Sequence, residues 1–235
     1  MSETKRIPFT LPDDKPFVIT LVGQRGAGKS YLIRQTIRET KSRFDKSNRF
    51  IISPTAKNLD DTLTRYFDEE NIFSTYGDDI IDHIIETVME ERKQYEHRYF
   101  NRYDRRAEEW VPIKSRVGKT MPKELYPEFL LVVDDSIGLF KSNSAVALLP
   151  TRHRHYRISI IFASQNFKSL APVIRNNSMV NVFFRTNNSE LSKLEQEYNV
   201  FDTKDEFIEL FRDKTSKPYG VFIVNYFRHG KDIYE

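Results

Sequence analysis

The chain of 235 residues contains no cysteine, which excludes disulfide staples and thiolate metal sites. No stretch approaches the roughly 20 apolar residues of a membrane-spanning helix. The opening MSETKRIPFT lacks the apolar core of a secretory signal. An intracellular protein with no membrane partner is therefore expected. Internal repeats and low-complexity segments are also missing, so repeat arrays and biased tracts drop out. Hydrophobic residues make up 39% and charged residues 30%. With this length they suit one α/β domain with a sizeable core and a polar surface. The net charge is only +3, yet the basic residues cluster. Arg34, Arg38, Lys41, Arg43, Lys46 and Arg49 form one group. Arg92, Lys93, Arg98, Arg102, Arg105 and Arg106 form a second, continued by Lys114, Arg116, Lys119 and Lys123. Arg152, Arg154 and Arg157 form a third. Such clusters suit either a polyanion on one face or solvated helix surfaces.

What is present begins with an apolar run, Phe17 to Val22, that leads directly into Gly23-Gln24-Arg25-Gly26-Ala27-Gly28-Lys29-Ser30. The spacing G-x-x-x-x-G-K-S after a strand and before a helical pattern predicts a phosphate-binding loop. Glycines let successive backbone N–H groups turn inward toward phosphate oxygens, and the following helix start adds its partial positive charge. Lys29 is expected to reach the β- and γ-phosphates of ATP, and the Ser30 hydroxyl to ligate Mg²⁺. Residues Gly23 to Ser30, with the adjoining Tyr31, form the expected nucleotide cradle.

Along the chain, strands are expected at 17–22, 49–53, 129–133, 157–163, 179–184 and 219–224. Most are nearly continuous apolar runs, as in strands covered on both faces. Helices are expected at 29–41, 60–67, 141–149, 188–199 and 203–212. A long helix is expected from Asp78 to Arg106, its stripe carried by Ile80, Ile81, Ile84, Ile85, Val88 and Met89. Beyond Glu91 the stripe thins, so the distal half projects or meets a partner. Residues 110–128 read as an exposed loop. Strands alternating with helices predict an α/β, mostly parallel sheet between helical layers, a three-layer sandwich. The expected organisation is a flexible lead-in over 1–15 and one ATPase domain over 16–235, with a long helical insertion around 78–128.

The strand at 129–133 delivers Asp134 and Asp135 at its carboxyl end. Asp134 is expected in the Mg²⁺ shell, and Asp135 as the general base that polarises the attacking water. The strand at 157–163 ends at Ala163-Ser164-Gln165, where Gln165 can contact the γ-phosphate or the water as a sensor. Arg152, Arg154 and Arg175 are candidates for an arginine finger acting in trans. From these residues a DNA-driven ATPase, a nucleotide kinase and a nucleotide-gated scaffold without turnover all stay open. A kinase usually brings its acidic strand sooner after the loop, and no N-K-x-D motif for guanine is present.

The motifs Gly23–Ser30, Ile52-Ser53-Pro54-Thr55, Leu131–Asp135, Arg152-His153 before a strand ending Ser164-Gln165, and Ile174-Arg175-Asn176-Asn177 followed by Val182-Phe183-Phe184-Arg185 occur in this order. This series resembles the poxvirus-type genome-packaging ATPases of large DNA viruses and virophages, within the FtsK–HerA superfamily of DNA translocases. The resemblance spans roughly residues 17 to 190. It implies a RecA-like core in a pentameric or hexameric ring that hydrolyses ATP and drives double-stranded DNA into a preformed capsid. It also implies a partner at the capsid or portal vertex, and a place in the host cytoplasm (the viral factory) or the virion. By this resemblance Arg152 matches the position of the trans finger, Gln165 the sensor, and Asp134 with Asp135 the acidic pair. The bacterial relatives usually carry Asp-Glu where this chain has Asp-Asp, so the shorter Asp135 must approach the water more closely. The bacterial membrane and DNA-orienting domains have no counterpart, which implies a minimal motor anchored by the capsid.

Overall fold

The structure is a computed structural model and describes residues 7–55, 61–134, 143–228 and 234. Nine strands lie among these residues: β1 (Val18–Val22), β2 (Arg49–Ile52), β3 (Ile72–Phe73), β4 (Asn101–Asp104), β5 (Glu109–Pro112), β6 (Phe129–Asp134), β7 (Ile158–Ser164), β8 (Val180–Phe184) and β9 (Val221–Asn225). The helices are α1 (Lys29–Glu39), α2 (Asp61–Thr64), α3 (Asp78–Phe100), α4 (Ala145–Leu148), α5 (His153–Tyr156), α6 (Pro172–Asn177), α7 (Asn188–Tyr198) and α8 (Lys204–Lys214).

Seven strands form one sheet in the order β3-β2-β6-β7-β1-β8-β9. All neighbours run parallel except β8 and β9. Every residue of β1, β6, β7 and β8 is buried, which accounts for their mostly apolar sequence, interrupted within the strands by Thr20, Ser159 and Asn181. Alternate residues feed two cores. Phe129, Leu131 and Val133 of β6 join Ile81, Ile84 and Val88 of α3, with Leu191 and Leu194 of α7 and Phe207 and Phe211 of α8, on one face. Leu130 and Val132 join Leu32, Ile33 and Ile37 of α1 and Leu63 of α2 on the other. The result is the expected α/β three-layer arrangement.

Both sheet margins are blunt. β3 has two residues, and beyond β9 a single bridge ties Val224 to Tyr234.

Several details differ from the sequence reading. The long helix stops at Phe100, not Arg106, and the chain turns into the antiparallel pair β4–β5. Asp104 accepts hydrogen bonds from the N–H groups of Arg106 and Ala107, which closes the turn. Tyr103 stands opposite Trp110, their rings 5.7 Å apart. This cross-strand pair outweighs the ordinary helix propensity of the segment. Residues 109–112 are thus strand, not loop. Residues 7–15, expected to be a flexible lead-in, are held against the sheet. Phe9 is buried in the α1-side core, and Arg43 donates to the carbonyls of Pro12 and Lys15. α6, with Pro172 at its first position, was not anticipated.

Glu128, just before β6, ties the strand base to its surroundings. It accepts from Arg43 Nε at 2.9 Å and from Arg157 Nη2 at 2.8 Å, with all three side chains less than 20% exposed. Glu128→Ala leaves two guanidinium groups without this counter-charge. It is expected to lower stability by about 2 kcal/mol, read as a shift in urea midpoint at unchanged slope. Glu128→Gln, which keeps an acceptor, should lose less.

Candidate active site

The phosphate loop leaves β1 at Val22 and enters α1 at Lys29. Gly26 and Gly28 have φ of +78° and +112°, a region that glycine occupies without strain. Gly23 is fixed by its neighbours: its N–H donates to the Ser164 carbonyl at 3.0 Å, and a Cβ there would meet Phe184 at 2.8 Å. Gln24, Arg25 and Gly26 are exposed, whereas Ala27 and Gly28 are half-buried. α1 carries no acidic residue in its first turn and no side-chain cap. Its leading N–H groups and positive end are therefore left to an anion. Lys29 is buried, and its Nζ donates to the carbonyls of Gly23 at 2.6 Å and Gln24 at 3.2 Å. The ammonium is thereby held inside the curve of the loop.

Strand order brings the other sequence-predicted residues to this loop. β7 lies between β1 and β6, with Val22 beside Ser164 and Asp134 beside Ala163. Gln165, one residue beyond β7, thus stands between the loop and the acidic strand end. A cleft of about 600 Å³ is lined by Gly26, Gly28, Lys29, Ser30, Asp134 and Gln165, with Arg25, Tyr31 and Arg34 at its α1 side. Ser53, Thr55 and Thr64 also line it. β2 pairs with β6, so the Ser53-Pro54-Thr55 strand end arrives beside Asp134. Asp134 is 8% exposed, and it lines the same cleft as Ser30. Carboxylate and hydroxyl oxygens are hard donors of the type that suits Mg²⁺. Asp135, the expected general base, lies outside the described residues.

The three finger candidates lie at the opposite, amino-terminal end of the strands. Arg152 precedes α5, which leads into the start of β7. Seven strand residues separate that start from Gln165, roughly 23 Å of chain. Arg152 and Arg154 are exposed. Arg175 is engaged within the chain, by Glu197 at 2.8 Å, by the Leu170 carbonyl and by the Phe167 ring. His153, next to Arg152, is buried and its Nδ1 pairs with the Pro150 carbonyl at 2.6 Å. Burial pushes its pKa below the usual histidine value. The imidazole is therefore neutral at pH 7, and the positive charge at this corner is that of the arginines.

A family model for the poxvirus A32 protein matches residues 10–231. The chain belongs to that family. Solved structures give the same architecture. The genome packaging NTPase B204 from Sulfolobus turreted icosahedral virus 2 in complex with ATP-gammaS superposes on this A32-family chain with a TM-score of 0.56 at 17% identity. The match covers 90% of this chain and 92% of that one. The same NTPase with AMP gives 0.58 at 18%, covering 90% and 93%. The cytoplasmic domain of the type VII secretion ATPase EccC of Thermomonospora curvata gives 0.52 at 15%, covering 92% of this chain and 23% of that one. At these identities the likeness concerns the fold. No curated protein sequence matches the chain. Among the described residues, no helix is long and apolar enough to cross a membrane.

Helix α3 buries Ile81, Ile84 and Val88 and no residue beyond them. Its distal half carries the β4–β5 hairpin outward. Residues 98–119 hold seven basic and three acidic side chains, a net +4. The whole chain is +3, so the remaining residues together sum to −1. The protein's positive excess sits on this arm. Tyr103 and Trp110 are about half exposed there.

Proposed function

We propose that this chain is an ATPase that powers the packaging of a double-stranded DNA genome into a preformed viral capsid, acting as a closed ring of identical subunits. The observation that carries the reading is the cleft uniting Lys29, Ser30, Asp134 and Gln165, in a chain of the A32 family. Lys29 turns from the Gly23 and Gln24 carbonyls to the β- and γ-phosphates of ATP. Ser30 and Asp134 would hold Mg²⁺, which when bound neutralises charge on those phosphates. Asp135 takes the proton of the attacking water, and Gln165 contacts the γ-phosphate from between the two walls of the cleft. Arg152 cannot reach the loop of its own chain across the length of β7. In a head-to-tail ring it faces the cleft of the next subunit. The site of action is then the viral factory in the host cytoplasm, or the virion, with the capsid vertex as anchor.

The reading requires ATP hydrolysis that double-stranded DNA accelerates. A kinase would need a small acceptor instead, and a scaffold would show no turnover. The basic arm is the surface we assign to the DNA backbone, since phosphate contacts need charge and no base sequence. The triple variant Arg102→Glu, Arg105→Glu, Arg106→Glu is expected to weaken duplex binding at least tenfold. The plot of log affinity against log salt should flatten by about three. An unchanged slope removes the arm from the DNA path.

A further inference from the structure

Helix α3 joins two surfaces that the proposed function uses separately, the basic arm and the corner that bears Arg152. That corner, residues 145–156, consists of α4, a short turn over Leu149–Thr151 and α5. Helices of four residues do not hold an orientation alone. α3 ties this segment down at both ends. At the start of α3, the Asp78 carboxylate accepts from the Ala145 N–H at 3.0 Å and from the Tyr76 hydroxyl at 2.6 Å. At Arg92, roughly 21 Å further along the helix, Nη1 donates to the His155 carbonyl at 2.8 Å. Between these anchors Ile81, Ile84 and Val88 share a core with Val146, Ala147 and Leu149.

The Arg92 bond reaches Arg152 in one further step. The His155 N–H donates to the Arg152 carbonyl at 2.9 Å. The guanidinium of Arg92 is itself restrained. It lies 4.9 Å from the centre of the Tyr126 ring, and the Tyr126 hydroxyl donates to Glu96 of α3 at 2.6 Å. Past Arg92, α3 and the hairpin form one piece. Arg116 Nη1 donates to the Tyr99 carbonyl at 2.7 Å, and the Ile113 N–H to the Phe100 carbonyl at 2.8 Å.

We propose that Arg92 is a positioning residue that couples these two surfaces. Duplex seated on the arm re-aims Arg152 through the Arg92–His155 bond and so accelerates hydrolysis in the next subunit, with Asp78 as the fixed end of the lever. The inference rests on the assignment of the arm to DNA and of Arg152 to the neighbouring cleft. Contiguous bonded elements of this kind carry coupling where both sites bias the same piece of structure.

The test is steady-state ATP hydrolysis by the full chain, with and without saturating duplex DNA. Arg92→Ala should cut the duplex stimulation about fivefold or more. Turnover without DNA, ATP affinity and duplex affinity should stay at wild-type values. Lys93→Ala removes the same charge one position on, where the side chain is exposed and pairs with Glu90 at 3.7 Å. It should keep the full stimulation. Asp78→Ala, at the other anchor, should repeat the Arg92→Ala loss and gives the reading if Arg92→Ala does not fold. A merely structural Arg92 would lower turnover equally with and without DNA. That result, an equal loss of stimulation in Lys93→Ala, or wild-type stimulation in Arg92→Ala (or in Asp78→Ala, should Arg92→Ala not fold) overturns the proposal and leaves the arm and finger assignments standing. A wild-type chain that duplex does not stimulate fails at the DNA-driven reading itself and takes the coupling with it.

Discussion

Arg152→Ala is expected to slow ATP hydrolysis by about three to five orders of magnitude while ATP affinity stays close to that of the parent chain. The size is that of an arginine finger supplied in trans, roughly 4–7 kcal/mol of barrier. The geometry gives the prediction its form. Arg152 is exposed at the amino-terminal end of β7, and the cleft proposed for the nucleotide is at the carboxyl end. Its removal takes nothing from the cleft of its own chain. Fluctuating local structure is not the cause either, because the neighbouring His153 is buried and bonded to the Pro150 carbonyl. Mixing experiments separate this account from a local defect. Arg152→Ala subunits keep an intact phosphate loop, and Lys29→Ala subunits keep an intact arginine. Equimolar mixing of the two should restore turnover at the interfaces that combine them. No recovery, or full activity of Arg152→Ala alone, would sink the finger.

Lys29→Ala should reduce turnover by about a hundred- to a thousandfold, the usual scale for removing one preorganised charge stabiliser. Here the lost ammonium is buried and bonded to two loop carbonyls. Its charge therefore acts in a weakly screened site. The same two hydrogen bonds brace the loop, so a modest fall in melting temperature should accompany the loss. Circular dichroism should be unchanged. Steady-state hydrolysis at saturating ATP is the measurement, and wild-type turnover would end the assignment of the cleft.

The parts of the site that lie next to each other in the chain were legible in the sequence. Gly23 to Ser30 carry the loop, its turn conformations and its helix start in eight consecutive positions. Asp134 could be read because an unbroken apolar strand delivers it. That these residues meet depends on β7 lying between β1 and β6, and strand order is set by long-range packing. Composition and periodicity do not encode it directly; the expectation for Gln165 came from its place at a strand end. The hairpin at 101–112 was hidden because Arg102, Tyr103 and Arg105 are tolerable in a helix. The decisive signals were the Asp104 turn and the Tyr103–Trp110 pairing. Phe9 was lost in a polar, proline-bearing segment that shows no period. Tyr219 passed as the first residue of a strand, although Pro218-Tyr219-Gly220 between a helix and an apolar run is a turn signature.

The blunt margins of the sheet have a consequence for how copies of the chain can meet. A two-residue β3 offers almost no free ladder to another strand, and Tyr234 occupies part of the outer side of β9. Lateral continuation of the sheet from one molecule to the next is therefore poorly rewarded. What the molecule presents instead are the two ends of its parallel strands, and these differ: one carries arginines, the other the cleft lined by Lys29, Ser30, Asp134 and Gln165. Parallel strands give the subunit a head and a tail. Any array built on those ends inherits a single direction around its circumference, so each hydrolysis event has a defined next neighbour.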